Sequence, residues 1–288
     1  MTAFKRGIDQ PDFIAALKAD EFWNTINNDP QLIVGIRDNY INAYFNGNNI
    51  CKLEYQPRKK RLSGKVHHKY LNREISGKSP YIDIFRQPIG DCHAFISSIK
   101  KASEKYASEE KIAVHSECIK ESDVLDVEIT FTSAHPPIHG RSGRLNKRDG
   151  LNKLDGLDRL DYLKLEMQNG KPMLVFYEAK TITNSEIKAK GIPNVFEQMK
   201  GYRDTLHGHD AEIIQSYNTV CANIRELGIC RKGNLIGMVQ NNLTTKNIDA
   251  FPRLIIFGHD KSKESSSWGG HYEKLKKELG NRVILREG

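Results

Sequence analysis

The feature that most constrains this chain is a pair of strand-like runs, RLDYLKLE (159–166) and LVFYEAK (174–180), joined through MQNGKPM. Asn-Gly is the dipeptide that two-residue hairpin turns favour, because both central residues need positive φ. Folding back at Asn169-Gly170 brings Asp161, near the start of the first strand, beside the end of the second. Strand residues two apart point to the same side of a sheet, so Glu178 and Lys180 share a face. Downstream, VFEQMKGYRD sets Gln198 and Tyr202 four residues apart, on one face of a helix.

This hairpin sits in the second half of a 288-residue chain, long enough for one large domain or a core domain with a smaller addition. Before it, helical spacing runs from about Pro11 to Asn27. Three short strands follow, LIVGIR, YINAYF and ICKLEYQ, broken at Asp38-Asn39 and at Asn46–Asn49. The first ninety residues therefore read as a small antiparallel sheet with a leading helix, suited to recognition, dimerisation or regulation.

From Asp91 to about Lys120 the pattern is helical, and VLDVEITFTS is a strand. Residues 134–156 carry no apolar period and form a long polar loop. Beyond the hairpin come helices near 193–206 and 211–227. The runs LIGMVQ and RLIIFGHD read as strands, HYEKLKKELG as a helix and RVILRE as a closing strand. Such alternation predicts an α/β (α+β) fold for residues 91–288, with a mixed central sheet flanked by helices.

Two carboxylates and an ammonium converging at a sheet end suit a divalent cation and an attacked phosphate. Asp161 and Glu178 are the candidate magnesium (or manganese) ligands, with the backbone carbonyl of Ala179 as a third oxygen. Lys180 is placed to orient or deprotonate a water or to stabilise a developing oxyanion. Gln198 and Tyr202 can hydrogen-bond a phosphate or the water network. Asp158 is a rival to Asp161, and Glu117 or Glu128 is a further carboxylate. On a solvated surface the same Glu-x-Lys spacing would be a minor ion pair. The apolar run leading into Glu178 argues for a buried strand instead.

Asp161, Glu178-Ala179-Lys180 and Gln198-x-x-x-Tyr202 together resemble the PD-(D/E)XK, or restriction-endonuclease-like, nuclease superfamily, with the Q-x-x-x-Y element of its RecB-like branch. The resemblance covers residues 91–288. It implies a helix–three strands–helix–strand core, magnesium-dependent cleavage of nucleic acid, with DNA the expected substrate and RNA the alternative, catalytic roles for Asp161, Glu178, Lys180, Gln198 and Tyr202, and a homodimer that pairs two sites. No proline precedes Asp161, and the four cysteines of the iron–sulfur members are missing.

Composition agrees with a polyanionic partner: 44 Lys and Arg against 36 Asp and Glu give a net charge of +8. Two basic segments can grip phosphates: Arg58-Lys59-Lys60-Arg61, and Arg141, Arg144, Lys147 and Arg148. Neither GxGxxG nor GxxxxGK[ST] occurs, so no nucleotide cofactor is expected. The five cysteines form no CxxC pair and read as reduced thiols. The chain has no apolar run of membrane-spanning length, which predicts a cytoplasmic protein, and the nuclease resemblance in a chain without motor motifs implies a role in restriction or antiphage defence.

Overall fold

The computed structural model describes residues 4–74, 79–86, 89–131, 159–188, 193–229, 233–239, 242–259 and 267–287. The opening helical pattern is two helices, α1 (Pro11–Lys18) and α2 (Glu21–Asn28), not the single one that apolar spacing predicts. Asp20 causes the break: its carboxylate accepts the Trp23 N–H at 2.8 Å and starts a second helix. Strands β1 (Ile33–Arg37), β2 (Tyr40–Phe45), β3 (Asn48–Gln56), β4 (Arg61–His67) and β5 (Tyr81–Asp83) form an antiparallel meander in sequence order. Its tight turns use residues that tolerate a left-handed backbone, Asn39 at φ 55° and Asn46-Gly47 at 47° and 69°.

The second unit begins with helices α3 (Cys92–Glu104) and α4 (Glu109–Lys120), separated where Ser108 caps α4. Strands β6 (Val124–Thr130), β7 (Arg159–Gln168) and β8 (Lys171–Thr181) follow. Then come α5 (Asn194–Gly208), α6 (Asp210–Glu226), the single turn α7 (Leu235–Met238), β9 (Ile248–His259), α8 (Ser267–Leu279) and β10 (Val283–Glu287). The sheet order is β10-β9-β8-β7-β6, with β7 antiparallel to both β6 and β8, and β8, β9 and β10 parallel. The fold is therefore mixed α/β with one antiparallel and one mixed sheet.

The run LIGMVQ corrects its sequence reading. Leu235–Met238 turns as a helix instead of extending as a strand. Its ends are held by distant polar groups: Asp123 accepts the Ile236 N–H at 3.1 Å, and Arg225 donates to the Ile236 and Val239 carbonyls. Four apolar residues cannot declare their structure without such partners.

Alternation along β8 decides which helix covers which face. Val175, Tyr177 and Ala179 pack beneath α4 with Tyr162, Cys118 and Val114. Leu174 and Phe176 join the larger core with Met199, Tyr202 and Leu206 of α5 and Tyr217 of α6. That larger core also contains Phe13, Trp23, Ile41 and Leu53, so apolar packing is continuous between the two sheets.

A buried charge fastens the sheets together. Asp126 on β6, 2% exposed, accepts from Arg37 on β1, from Arg6 at 3.1 Å and from the Tyr217 hydroxyl at 3.0 Å. Burial opposes its charge, but Arg37 and Arg6 outweigh that and hold the carboxyl below its usual range. Among the described residues no helix is long and apolar enough to cross a membrane.

Candidate active site

The Asn169-Gly170 turn has φ values of 51° and 74°, as a two-residue hairpin requires, and sets the register Tyr162 to Tyr177 and Leu163 to Phe176. The next step along both strands brings Asp161 and Glu178 abreast. Asp161 Oδ2 accepts the Ala179 N–H at 2.7 Å, which fixes the carboxylate against the end of β8. Lys180 Nζ donates to Glu178 Oε1 at 2.6 Å and lies 2.9 Å from Glu186 Oε2, on a 3-10 turn just past the strand. Glu178 and Lys180 are only 3% and 6% exposed. A buried pair of this kind is far from the solvated Glu-x-Lys of a surface strand.

Helix α5 closes the α5 side of the sheet end. Gln198 Nε2 donates to the Tyr202 hydroxyl at 2.8 Å, and that hydroxyl donates to the Arg159 carbonyl at 2.6 Å. The hydroxyl also lies close to the Glu178 carboxyl, but its one proton is committed to the Arg159 carbonyl, so Glu178 Oε2 is left buried without a donor among the described residues. Gln198 Oε1 is in the same condition. Two orphaned buried oxygens on facing elements call for an outside partner.

The electrostatics follow from crowding. Burial, and then the Glu178 charge, push the Asp161 carboxyl well above its usual range, while the Ala179 N–H opposes them. Burial raises Glu178 to about 7 against the pull of Lys180, and Glu110 adds to the rise. Burial disfavours the Lys180 charge, but Glu178 and Glu186 more than restore it and hold the ammonium firmly protonated.

Two further acids belong to this neighbourhood. Glu128 on β6 lies between Val127, which faces Tyr162, and Ile129, which faces Leu160. Its φ of 52° is left-handed inside a strand, a conformation that a non-glycine residue holds only when its surroundings impose it. Its carboxylate pairs with Arg159 at 2.9 Å and its charge bears on Asp161. Glu110, in the first turn of α4, was not singled out by sequence reasoning. It lines a cavity of about 80 Å³ together with Asp161 and Glu128, and accepts from Asn184 at 3.3 Å. Glu186 was missed as well. Glu117 stands elsewhere, paired with Arg286 at 2.7 Å.

The donor set suits a hard cation: two adjacent carboxylates, one with an unpartnered buried oxygen, and no soft ligand. Among the described residues no group of three or more His, Cys, Asp or Glu side chains forms a ready metal cage. A magnesium site needs only one or two carboxylates completed by water and substrate oxygens, so these residues fit that ion. Ala179, fully buried between Glu178 and Lys180 in the strand, meets Asp161 through its N–H.

Of the basic segments, Arg58, Lys59 and Lys60 are exposed on the turn between β3 and β4. Arg61 donates to the Phe85 carbonyl at 3.1 Å. None of the four lines the cavities beside Asp161. Arg141, Arg144, Lys147, Arg148 and Asp158 lie outside the described residues. Four of the cysteines, Cys51, Cys92, Cys118 and Cys221, are buried free thiols. In comparisons with known proteins, no family model, curated protein or solved structure matches the chain.

Proposed function

We propose that this chain is a metal-dependent deoxyribonuclease whose site is built from Asp161, Glu178 and Lys180. The observation that carries the reading is the geometry at the end of β8: abreast carboxylates, the orphaned oxygen Glu178 Oε2, and the Lys180 ammonium 2.6 Å from its other oxygen. The order of elements also supports it. Helix α4, strands β6, β7 and β8, helix α5 and parallel strand β9 occur in the order that the nuclease resemblance implies, with α6 and α7 inserted before β9.

In this reading Asp161 and Glu178 hold a magnesium or manganese ion. The bound ion supplies Lewis acidity at the phosphoryl oxygen and a water of lowered pKa. Lys180, kept protonated between two glutamates, offers positive charge to the developing phosphorane and does not serve as the base. Tyr202 fixes the start of β7, and Gln198 turns its free carbonyl oxygen toward the water network. A chain of this kind suits restriction or antiphage defence, with two copies pairing their sites to cut both strands.

The deciding experiment incubates the full chain with plasmid, linear and single-stranded DNA, in magnesium and in chelator. Metal-dependent cleavage that Asp161→Ala and Lys180→Ala abolish, in proteins that remain folded, supports the reading; full activity in either variant sinks it. One observation favours a second reading. Lys180 already neutralises Glu178, as in a nucleic-acid-binding module with an idle site. That module binds DNA with a steep salt dependence and cuts nothing in either metal.

A further inference from the structure

Beside the carboxylates a second cavity, about 360 Å³, opens between the N-terminal meander and the mixed sheet. It shares Tyr44, Gly47, Lys111, Glu128 and Arg159 with the smaller cavity that contains Asp161, so the two are continuous. Its walls are polar. Tyr40, Asn42 and Asn49 come from the meander, while Lys111, Thr130 and Arg159 come from α4, β6 and β7. The hairpin at Gly47 makes this approach possible: a Cβ there would stand 2.7 Å from the Lys111 side chain.

Two features show that these walls are built to meet a ligand. Asn42 is 8% exposed, and its amide nitrogen donates to the Tyr44 hydroxyl at 3.0 Å, yet its amide oxygen has no partner among the described residues. Reversing the amide moves the deficit to nitrogen, because the Tyr44 hydroxyl can satisfy one end of it only. Asn49 Oδ1 is likewise buried and unpartnered. The second feature is charge. Arg6 and Arg37 share the single Asp126 carboxylate, and Arg159 is paired with Glu128, whereas Lys111 has no ion-pair partner among the described residues.

We infer that this cleft seats one unpaired nucleotide of the DNA strand next to the scissile phosphate, with Lys111 and Arg159 on its phosphate and Asn42 and Asn49 on the edge of its base. The inference rests on the nuclease reading for its choice of ligand. A cavity of roughly 300–400 Å³ is at the small end of ligand sites and admits a single nucleotide, not a duplex. Carboxamides carry a donor and an acceptor side by side, the pairing that base edges present. The N-terminal meander thereby becomes the part of the protein that discriminates among bases, and the nucleotide it reads is one extruded from the stack or already single-stranded.

The test needs no chemistry: fluorescence anisotropy of labelled dA, dC, dG and dT oligonucleotides with the full chain in chelator, over a salt series. Lys111→Glu is expected to weaken binding to all four about tenfold and to lower the salt slope by about one. Asn49→Ala removes no existing hydrogen bond of its amide oxygen. It is expected to change the ratio of affinities among the bases about fivefold or more, with the slope preserved. Wild-type affinities and ratios in both variants overturn the inference, as does binding of ribo-oligonucleotides alone. If the protein binds DNA through these residues but never cleaves it, the nuclease reading fails and the cleft stands.

Discussion

The Tyr202 hydroxyl donates to the carbonyl of Arg159 at 2.6 Å, tying the middle of α5 to the backbone two residues before Asp161. This hydrogen bond anchors the first residue of β7 to α5, next to the two acidic side chains whose register the hairpin fixes. Tyr202→Phe removes that part-buried hydrogen bond at a cost of about 0.5–1.5 kcal/mol. DNA cleavage is expected to fall at least tenfold in a folded protein, measured by plasmid nicking alongside thermal melting. Unchanged cleavage would show that the hydroxyl positions nothing.

Asp161 and Glu178 repel each other in a buried setting, so replacing one relieves the other. Asp161→Asn is expected to raise the melting temperature of the metal-free protein at pH 8 while abolishing cleavage. Calorimetry checks the first effect and a nuclease assay the second. A lowered melting temperature contradicts the electrostatic account.

The pH dependence has a definite sign. Glu178 titrates near 7 in the folded chain and near its ordinary value unfolded, so the folded state holds more protons between those points. Its contribution to stability is complete below about pH 4.5 and disappears as pH rises through about 7. Magnesium binds the ionised carboxylates, so it should raise the melting temperature more at pH 8 than at pH 6. Glu178→Gln should flatten both trends in a melting series with and without the ion.

Removing Arg37 from the buried Asp126 cluster leaves that carboxylate with only Arg6 and the Tyr217 hydroxyl to offset its burial. Arg37→Ala is expected to cost roughly 3–5 kcal/mol, and chemical denaturation measures it. Replacing Lys5, whose partners Asp9 and Asp38 are exposed, should cost well under about 1 kcal/mol.

What the sequence disclosed about this molecule was mostly local. The β7–β8 hairpin was legible because Asn169-Gly170 fixes both turn and register, and from it the meeting of Asp161, Glu178 and Lys180. Gln198 and Tyr202 were legible through their four-residue spacing. Glu110 was not, because its nearness to Glu178 depends on how α4 lies across the sheet, and no spacing along the chain encodes that. Glu186 was hidden in the same way by a turn beyond the strand, and Leu235–Met238 by partners more than a hundred residues away at Asp123. The left-handed Glu128 left no mark, since nothing in DVEITF requires positive φ.

The backbone at Ile8 binds Asn223 in both directions, at 2.7 Å and 3.0 Å, and the Arg6 N–H donates to Ser216 at 3.1 Å. The segment around Ile8 is therefore held by residues more than two hundred positions further along the chain. Until α6 forms, this segment has no seat and the meander has no clasp. Docking of this segment waits on α6, a contact of long sequence separation that forms late in folding.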